Sequence, residues 1–217
     1  MKTHKLFSDK SELYEVARPL YPEALFEYLA KVAPSTLLAW DCACGNGQAA
    51  NSLVRYFERV EATDVSSEQI SNAKLNPKIT YSVSTSESTS FADSSFDLVC
   101  VAQALHWFDL NTYWSEVKRV LKTNGVFAAW GYTWPSVDLA VDRVFKDSIL
   151  NVIEPYWAPQ NRLLWDHYES VELPFSQLST PELKMQVNWD LDEFLSFVST
   201  FSATRRCVDD IGDNFLH

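Results

Sequence analysis

Glycine is scarce in this chain: five residues in 217, where average usage would give roughly 15. A chain this poor in glycine places it where the backbone demands it. Gly45 and Gly47, one residue apart, therefore mark a turn with a purpose. Cysteine is equally sparse. Cys42, Cys44, Cys100 and Cys207 are too few, in too apolar a context, for a disulfide framework in a chain of this length. A zinc site needs about four ligands, and His4, His106, His167 and His217 show no paired ligand spacing, so no metal is expected. Cys42 and Cys44 read instead as small buried residues at a strand end. Positive charge is also short: 18 Lys and Arg against 29 Asp and Glu leave a net charge of −11. That is the wrong sign for a nucleic-acid binder. No apolar run approaches the ~20 residues of a membrane span, and the first ten residues lack the apolar stretch of a signal peptide, so a cytoplasmic location is expected. What the chain has is 47% hydrophobic residues, enough to bury a core and to exclude disorder, in a length that fits one domain.

The hydrophobic pattern alternates between two kinds of segment. Leu37–Asp41 is a continuous apolar run ending in a carboxylate, as expected of a strand buried on both faces. After Gly45-Asn46-Gly47 a helical pattern places Ala50, Leu53, Val54 and Phe57 together. Val60–Asp64 is a second strand, also ending in a carboxylate, followed by a helix that Ser66 or Ser67 can cap. Ile79–Val83, Phe96–Ala102 and Val126–Trp130 are three further strands. A helix opened by Asp109, with Trp114, Val117, Val120 and Leu121 on one face, precedes the Asn124-Gly125 turn. An upstream helix from Pro22 buries Leu25, Phe26 and Leu29. The alternation predicts a doubly wound α/β fold with a parallel sheet, ligands binding at the carboxyl ends of its strands. Beyond Gly131 a helix over 137–152 is expected to bury Val137, Val141, Val144, Phe145 and Ile149. An irregular aromatic insert follows over 154–182, then a strand over Leu183–Trp189 and a helix over Leu191–Phe201 capped by Asp190.

The chemistry gathers at Asp41-Cys42-Ala43-Cys44-Gly45-Asn46-Gly47-Gln48, where the first strand ends and a helix opens. Asp64 ends the next strand, 19 residues after Gly45, where a carboxylate can accept both hydroxyls of a ribose. This is a nucleoside-binding layout, open to two cofactor classes. Gly45-x-Gly47-x-x-Ala50 satisfies a dinucleotide pattern with Ala in the third place. Asp41, however, sets a negative charge where a pyrophosphate would approach. A cationic nucleoside such as S-adenosylmethionine reverses that objection.

Several blocks in order extend the pattern over nearly the whole chain: Tyr14-x-x-x-Arg18-Pro19-x-Tyr21-Pro22, the Asp41–Gln48 loop, Ala62–Ser66, Ser95–Val99, Gln103-Ala104-Leu105-His106-Trp107-Phe108, and Arg119–Lys122 with Gly125. On these blocks the chain resembles the class I S-adenosylmethionine-dependent methyltransferases, in particular the type 11 methyltransferase domain and the trans-aconitate methyltransferase-like group. Ala43 departs from the family's loop, which has glycine there. A positive φ at that position would cost alanine on the order of 1 kcal/mol.

The resemblance implies a Rossmann-like sheet, S-adenosyl-L-methionine as cofactor and a small-molecule methyl acceptor such as a carboxylic acid. The cofactor's methionine end would lie against Asp41, Cys42, Ala43, Gly45, Gly47 and Gln48. Asp64 would hold the ribose, Val65 would pack on the adenine, and Ser86 and Glu87 would face its amine. Gln103 and Trp107 would lie beside the methyl group, with His106 as the candidate base if the acceptor must lose a proton. Tyr14 and Arg18 would belong to a lid. The expected division of the single domain is an N-terminal lid over 1–34, a cofactor-binding core over 35–132, an aromatic substrate-side insert over 133–182 and a C-terminal part over 183–217. Enzymes of this type add a further antiparallel strand between strands five and six. The chain reaches His217 before one, so its C-terminal part is expected to be truncated. An exposed edge on strand five would be an association hazard, to be covered by a second copy, a rearranged tail or a displaced strand six. Two other functions stay open at this level: a nicotinamide or flavin enzyme, and a methyltransferase-like protein that binds a partner without catalysis.

Overall fold

The computed structural model describes residues 17–216. A five-stranded, wholly parallel sheet forms its centre: β1 (Leu38–Cys42), β2 (Arg59–Asp64), β3 (Ile79–Val83), β4 (Phe96–Ala102) and β5 (Leu121–Trp130). Their order is β3-β2-β1-β4-β5, so the direction of winding reverses between β1 and β4. The strands read as unbroken apolar runs because both faces are covered. Ala39, Leu98 and Cys100 point into one cluster with Phe26 and Leu29 of α1 (Glu23–Val32) and Ala50 and Leu53 of α2 (Gln48–Leu53). Their neighbours Trp40, Val99 and Val101 point into the opposite cluster, with Tyr113, Val117 and Val120 of α4 (Leu110–Val120). Period-two alternation within one strand thus serves two layers.

Local chemistry sets the element ends. Ser66 caps α3 (Ser67–Ser71) by accepting from the Gln69 amide. Asp109 caps α4 by accepting from Asn111 and Thr112. Asp97, buried at the start of β4, accepts from the Leu37 and Leu38 amides, from Ser35 Oγ at 2.7 Å and from Lys122 Nζ at 2.9 Å. It ties the amino ends of β1, β4 and β5 together. Between Leu121, paired with Phe96, and Val126, paired with Leu98, the Asn124-Gly125 turn loops out as an irregularity within β5.

After Gly131 the chain leaves the sheet and builds a third cluster. Helix α5 (Leu139–Phe145), a π-turn over Lys146–Leu150 and α6 (Asn151–Ile153) run on continuously. Phe145, Ile149 and Ile153 are buried against Phe197 and Val198 of α8 (Leu191–Ser199) and against Ala203 and Cys207 of α9 (Ser202–Ile211). The expected burial of Val137, Val141 and Val144 is not observed; all three are exposed. Val137 precedes the helix, and Val141 and Val144 lie on its solvent side; Phe145 and Ile149, also expected in the core, are buried, and the π-turn sets them and Ile153 four apart. Helix α7 (Asn161–Trp165) is short and sits within the irregular aromatic insert.

The strand expected over Leu183–Trp189 does not form. Leu183 packs into the α1-side cluster and Trp189 against Phe197, ring centroids 5.0 Å apart. These apolar residues find side-chain partners without a backbone ladder. The edge of β5 is met instead by an irregular strap. Phe175 stacks on Phe127 at 5.9 Å and meets Trp114 edge-on at 6.1 Å on the α4 side. The Ser179 carbonyl accepts from Tyr28 Oη at 2.8 Å, and Leu183 then packs on the α1 side. No helix among the described residues is long and apolar enough to cross a membrane.

Candidate active site

Two adjoining clefts open at the carboxyl ends of the strands, beside the β1/β4 switch point where such folds bind ligands. The larger, about 1050 Å³, is bordered by the loops after β1, β2, β3 and β4. The first of these loops takes three left-handed turns: Ala43 at φ 55°, Gly45 at φ 57° and Gly47 at φ 88°. Gly47 has a second constraint, because a Cβ there would fall 2.2 Å from Tyr81 Oη. The alanine at 43 sits in the positive-φ conformation for which the family's loop supplies glycine, a strain of about 1 kcal/mol.

Asp64 organises this cleft. Its Oδ2 accepts from the Gly45 amide at 2.9 Å and its Oδ1 from the Ser66 amide at 2.8 Å, which fixes the glycine loop against the end of β2. Each carboxylate oxygen accepts two bonds, so ribose hydroxyls can add to these. Val65, Ser86, Glu87, Gln103 and Trp107 line the same cleft with Ala43, Gly45 and Asp64. Ser66, Gln69 and Phe108 also line it and were not anticipated. The Ser66-x-x-Gln69 helix start was the available signal for the first two.

Four other expected residues lie elsewhere. Asp41 and Cys42 are fully buried beneath the loop and do not line the cleft. Burial pushes the Asp41 carboxyl up to about 7, with the nearby Asp64 charge adding to the shift. One of its oxygens is 3.8 Å from Cys100 Sγ, and the other, Oδ2, has no hydrogen-bond partner. Burial likewise pushes the Cys42 thiol up, so it stays protonated. Gly47 starts α2 without lining the cleft, and Gln48 Nε2 donates to the Pro19 carbonyl at 3.1 Å. Tyr14 lies outside the described residues.

The second cleft, about 620 Å³, shares Gln103 and Trp107 with the first. Gln103, at φ 58°, spans the boundary: its amide donates to the Trp130 carbonyl and its Nε2 to the Tyr132 carbonyl. The far wall is aromatic, with Trp134, Trp157, Trp165 and Phe201 in mutual ring contact at 5.3–5.9 Å. Trp114 and Trp130 belong instead to the packing around the sheet. Arg18 and Arg205 supply positive charge. The Arg18 guanidinium bonds Thr200 Oγ1 and Tyr132 Oη, both at 3.0 Å, and lies 5.6 Å from the Phe197 ring centroid. Asn161, buried, holds its Oδ1 without a partner at the same cleft. Tyr132, Asn161 and Arg205 come from separate segments after Gly131, and no motif in the sequence marked them.

His106 lines the second cleft from the 3₁₀ turn Leu105–Trp107. It is buried, with Nδ1 3.0 Å from Tyr168 Oη and its ring against Trp107. Burial pushes its pKa down to about 4. The ring is therefore neutral near pH 7 and a weak proton acceptor.

The donor set of the larger cleft discriminates between cofactors. Asp64 and Glu87 face it, and no Lys or Arg is among the described residues that line it. A pyrophosphate would meet like charge without a counter-ion, whereas a sulfonium nucleoside suits carboxylate walls. The residues present fit S-adenosylmethionine.

Residues 40–129 match the family model described as a methyltransferase domain. A solved structure, a protein assigned as a type II methyltransferase from Anaeromyxobacter dehalogenans, is 38% identical, with a TM-score of 0.85 over 92% of this chain and 85% of that one. A protein of Dictyostelium discoideum assigned as a methyltransferase is 28% identical over 201 residues, 91% of this chain and 76% of its own. One of Saccharomyces cerevisiae, assigned as an S-adenosylmethionine-dependent methyltransferase, is 32% identical over 135 residues, and the match spans 46% of its length. Together with the β3-β2-β1-β4-β5 sheet and the acidic cleft at its switch point, these likenesses establish that the chain belongs to the class I S-adenosylmethionine-dependent methyltransferases.

Proposed function

We propose that the chain transfers the methyl group of S-adenosylmethionine to a small carboxylic acid with an apolar body, as a member of the trans-aconitate methyltransferase-like group. The observation that carries this reading is the junction of the two clefts. A carboxylate-walled nucleoside cleft and an aromatic cleft containing Arg18 and Arg205 meet at Gln103 and Trp107. In this assignment Asp64 holds the ribose, Val65 packs on the adenine, and Ser86 and Glu87 face its amine. The loop from Cys42 and Ala43 through Gly45 and Gly47 to Gln48 holds the methionine end, with Asp41 as a counter-charge from beneath. Tyr14 and Arg18 form the lid. The sheet and its loops over 35–132 bind the cofactor, the segments over 133–217 wall the acceptor, and 1–34 covers both.

When bound, S-adenosylmethionine supplies a methyl group on a sulfonium that is already a good leaving group. The chain's own residues then have two tasks, alignment and exclusion of water. Alignment alone is worth about 7–11 kcal/mol of a bimolecular barrier. The guanidinium groups would orient a carboxylate, and the tryptophan wall would exclude water from it. A carboxylate acceptor needs no base, which agrees with the weak basicity of His106.

Calorimetric titration with S-adenosylhomocysteine, followed by a labelled-methyl screen over carboxylic acids, phenols and amines, tests the reading. Binding together with methylation of carboxylic acids supports it. Methylation confined to phenols or amines overturns the acceptor class. A folded protein that binds no S-adenosylhomocysteine overturns the whole assignment.

A further inference from the structure

The end of α7 is built in an unusual way. The Tyr168 amide donates to the Leu163 carbonyl at 2.8 Å and the His167 amide to the Leu164 carbonyl at 3.0 Å. This is the paired bonding of a Schellman cap, in which the residue after the C-cap turns left-handed and is usually glycine. Here that residue is His167 at φ 51°, and Tyr168 follows at φ 60°. Each left-handed non-glycine residue costs about 1 kcal/mol or more, so the surroundings must hold the pair in place. The Leu163 and Tyr168 side chains both pack on the α4-side cluster, the apolar contact that accompanies such a cap.

The double turn delivers the Tyr168 hydroxyl to His106. The oxygen lies 3.0 Å from Nδ1, and the two rings are inclined by 26°. Among the described residues the hydroxyl proton has no other acceptor, so it is left for Nδ1. Burial pushes the phenol up and the imidazole down, so the one keeps its proton and the other stays neutral. The single ring proton of His106 is then left to Nε2, the nitrogen remote from Tyr168 in a ring that lines the acceptor cleft.

We propose that Tyr168 is a positioning residue that locks His106 in the Nε2–H tautomer, making it a hydrogen-bond donor to the methyl acceptor and not its base. The consequence for substrate class rests on the methyl-transfer reading above: the acceptor oxygen must arrive already without a proton, as a carboxylate does.

The full chain labelled with ¹⁵N-histidine, examined by long-range ¹H–¹⁵N correlation near neutral pH without cofactor or acceptor, tests the proposal. The His106 nitrogens are identified by their loss in His106→Gln. The expected result is a proton on Nε2 and a hydrogen-bonded Nδ1 in the native chain. In Tyr168→Phe, Nδ1 moves to the position of an unbonded nitrogen. A proton on Nδ1 in the native chain, or an Nδ1 signal unmoved in Tyr168→Phe, overturns it. If Tyr168→Phe does not fold, the tautomer of the native chain decides alone. Because the readout needs no ligand, failure of S-adenosylhomocysteine to bind would sink the methyl-transfer reading and leave the tautomer result standing.

Discussion

Replacing Asp41 with Asn should stabilise the protein at neutral and alkaline pH and do little in acid. Asp41 is fully buried, and its carboxyl is pushed from 3.8 to about 7, first by burial and then by the Asp64 charge. A folded-state pKa above the unfolded one means that the folded state binds the extra proton between those values. Stability therefore falls as pH rises from about 4 to about 7 and is level beyond. About three pKa units at ~1.4 kcal/mol each set an upper bound near 4 kcal/mol for that loss. Asparagine keeps the shape without the charge. Its amide nitrogen would take the place of Oδ2, which has no partner, and an orphaned donor costs about 1–3 kcal/mol. The net gain in Asp41→Asn is then about 1–3 kcal/mol above pH 7.5, shrinking to zero or reversing near pH 4.5. Urea unfolding of both proteins across pH 4–8 measures it directly. A difference independent of pH, or one that grows in acid, would show that the charged form is not penalised and would refute the reasoning. If Asp41 is the counter-charge for the cofactor's ammonium, ligand binding must also lower its pKa. Calorimetry in buffers of different ionisation heat should then detect proton release in the native chain and less in Asp41→Asn.

Ala43→Gly should stabilise the fold modestly, by up to about 1.5 kcal/mol. The relief of left-handed strain, about 1–2 kcal/mol, is partly offset by glycine's extra unfolded-state freedom of about 0.4–1 kcal/mol; urea unfolding of both proteins decides it, and a less stable variant would count against the φ 55° conformation. Asp64→Asn should weaken S-adenosylhomocysteine binding by roughly ten- to a hundredfold, since an Oδ2 replaced by NH₂ cannot accept from the Gly45 amide and charged bonds are worth about 1.5–3 kcal/mol. Unchanged affinity would remove Asp64 from the site. Asp97→Ala should cost about 3–5 kcal/mol by stranding Lys122 and the Leu37 and Leu38 amides, a fall of roughly 10 °C or more in Tm. Burial alone would raise the Asp97 carboxyl, but the bonds from Lys122, Ser35 and the backbone outweigh it and hold it below the usual range. Its stabilisation is present above about pH 4 and lost as pH falls, so the Asp97→Ala deficit in thermal melts should narrow in acid; a deficit that widened would contradict that assignment.

Most of the residues that line the larger cleft were legible because they sit at or just after a strand end, and strands buried on both faces announce themselves as apolar runs. Glycine scarcity sharpened this, since Gly45 and Gly47 stood out and the structure places both at positive φ. The Leu183–Trp189 segment misled because alternation reports a half-buried extended chain and not whether another strand lies within bonding distance. The face counted through Val137, Val141 and Val144 failed because the helix starts only at Leu139 and turns Val141 and Val144 to solvent, while Phe145 and Ile149 take the core side. The acceptor half was the least legible. Tyr168 is 62 residues from His106 and Thr200 is 182 from Arg18, and no spacing rule connects pairs so distant. The insert was recognised as aromatic, but only folding separates Trp134, Trp157 and Trp165 at the cleft from Trp114 and Trp130 at the sheet.

The strap around β5 also constrains how the acceptor wall can be exchanged between relatives. The chain builds one part of that wall over 139–170, encircles the outermost strand through Phe175, Ser179 and Leu183, and returns to build the rest over 191–211. The two parts interlock, Phe145 meeting Phe194 at 5.1 Å across the belt. A graft of 133–182 alone would split an apolar cluster and leave half a belt on the sheet. A graft of everything after Gly131 would carry wall and belt as one cassette, and the cofactor loops, all upstream, would be left as they are.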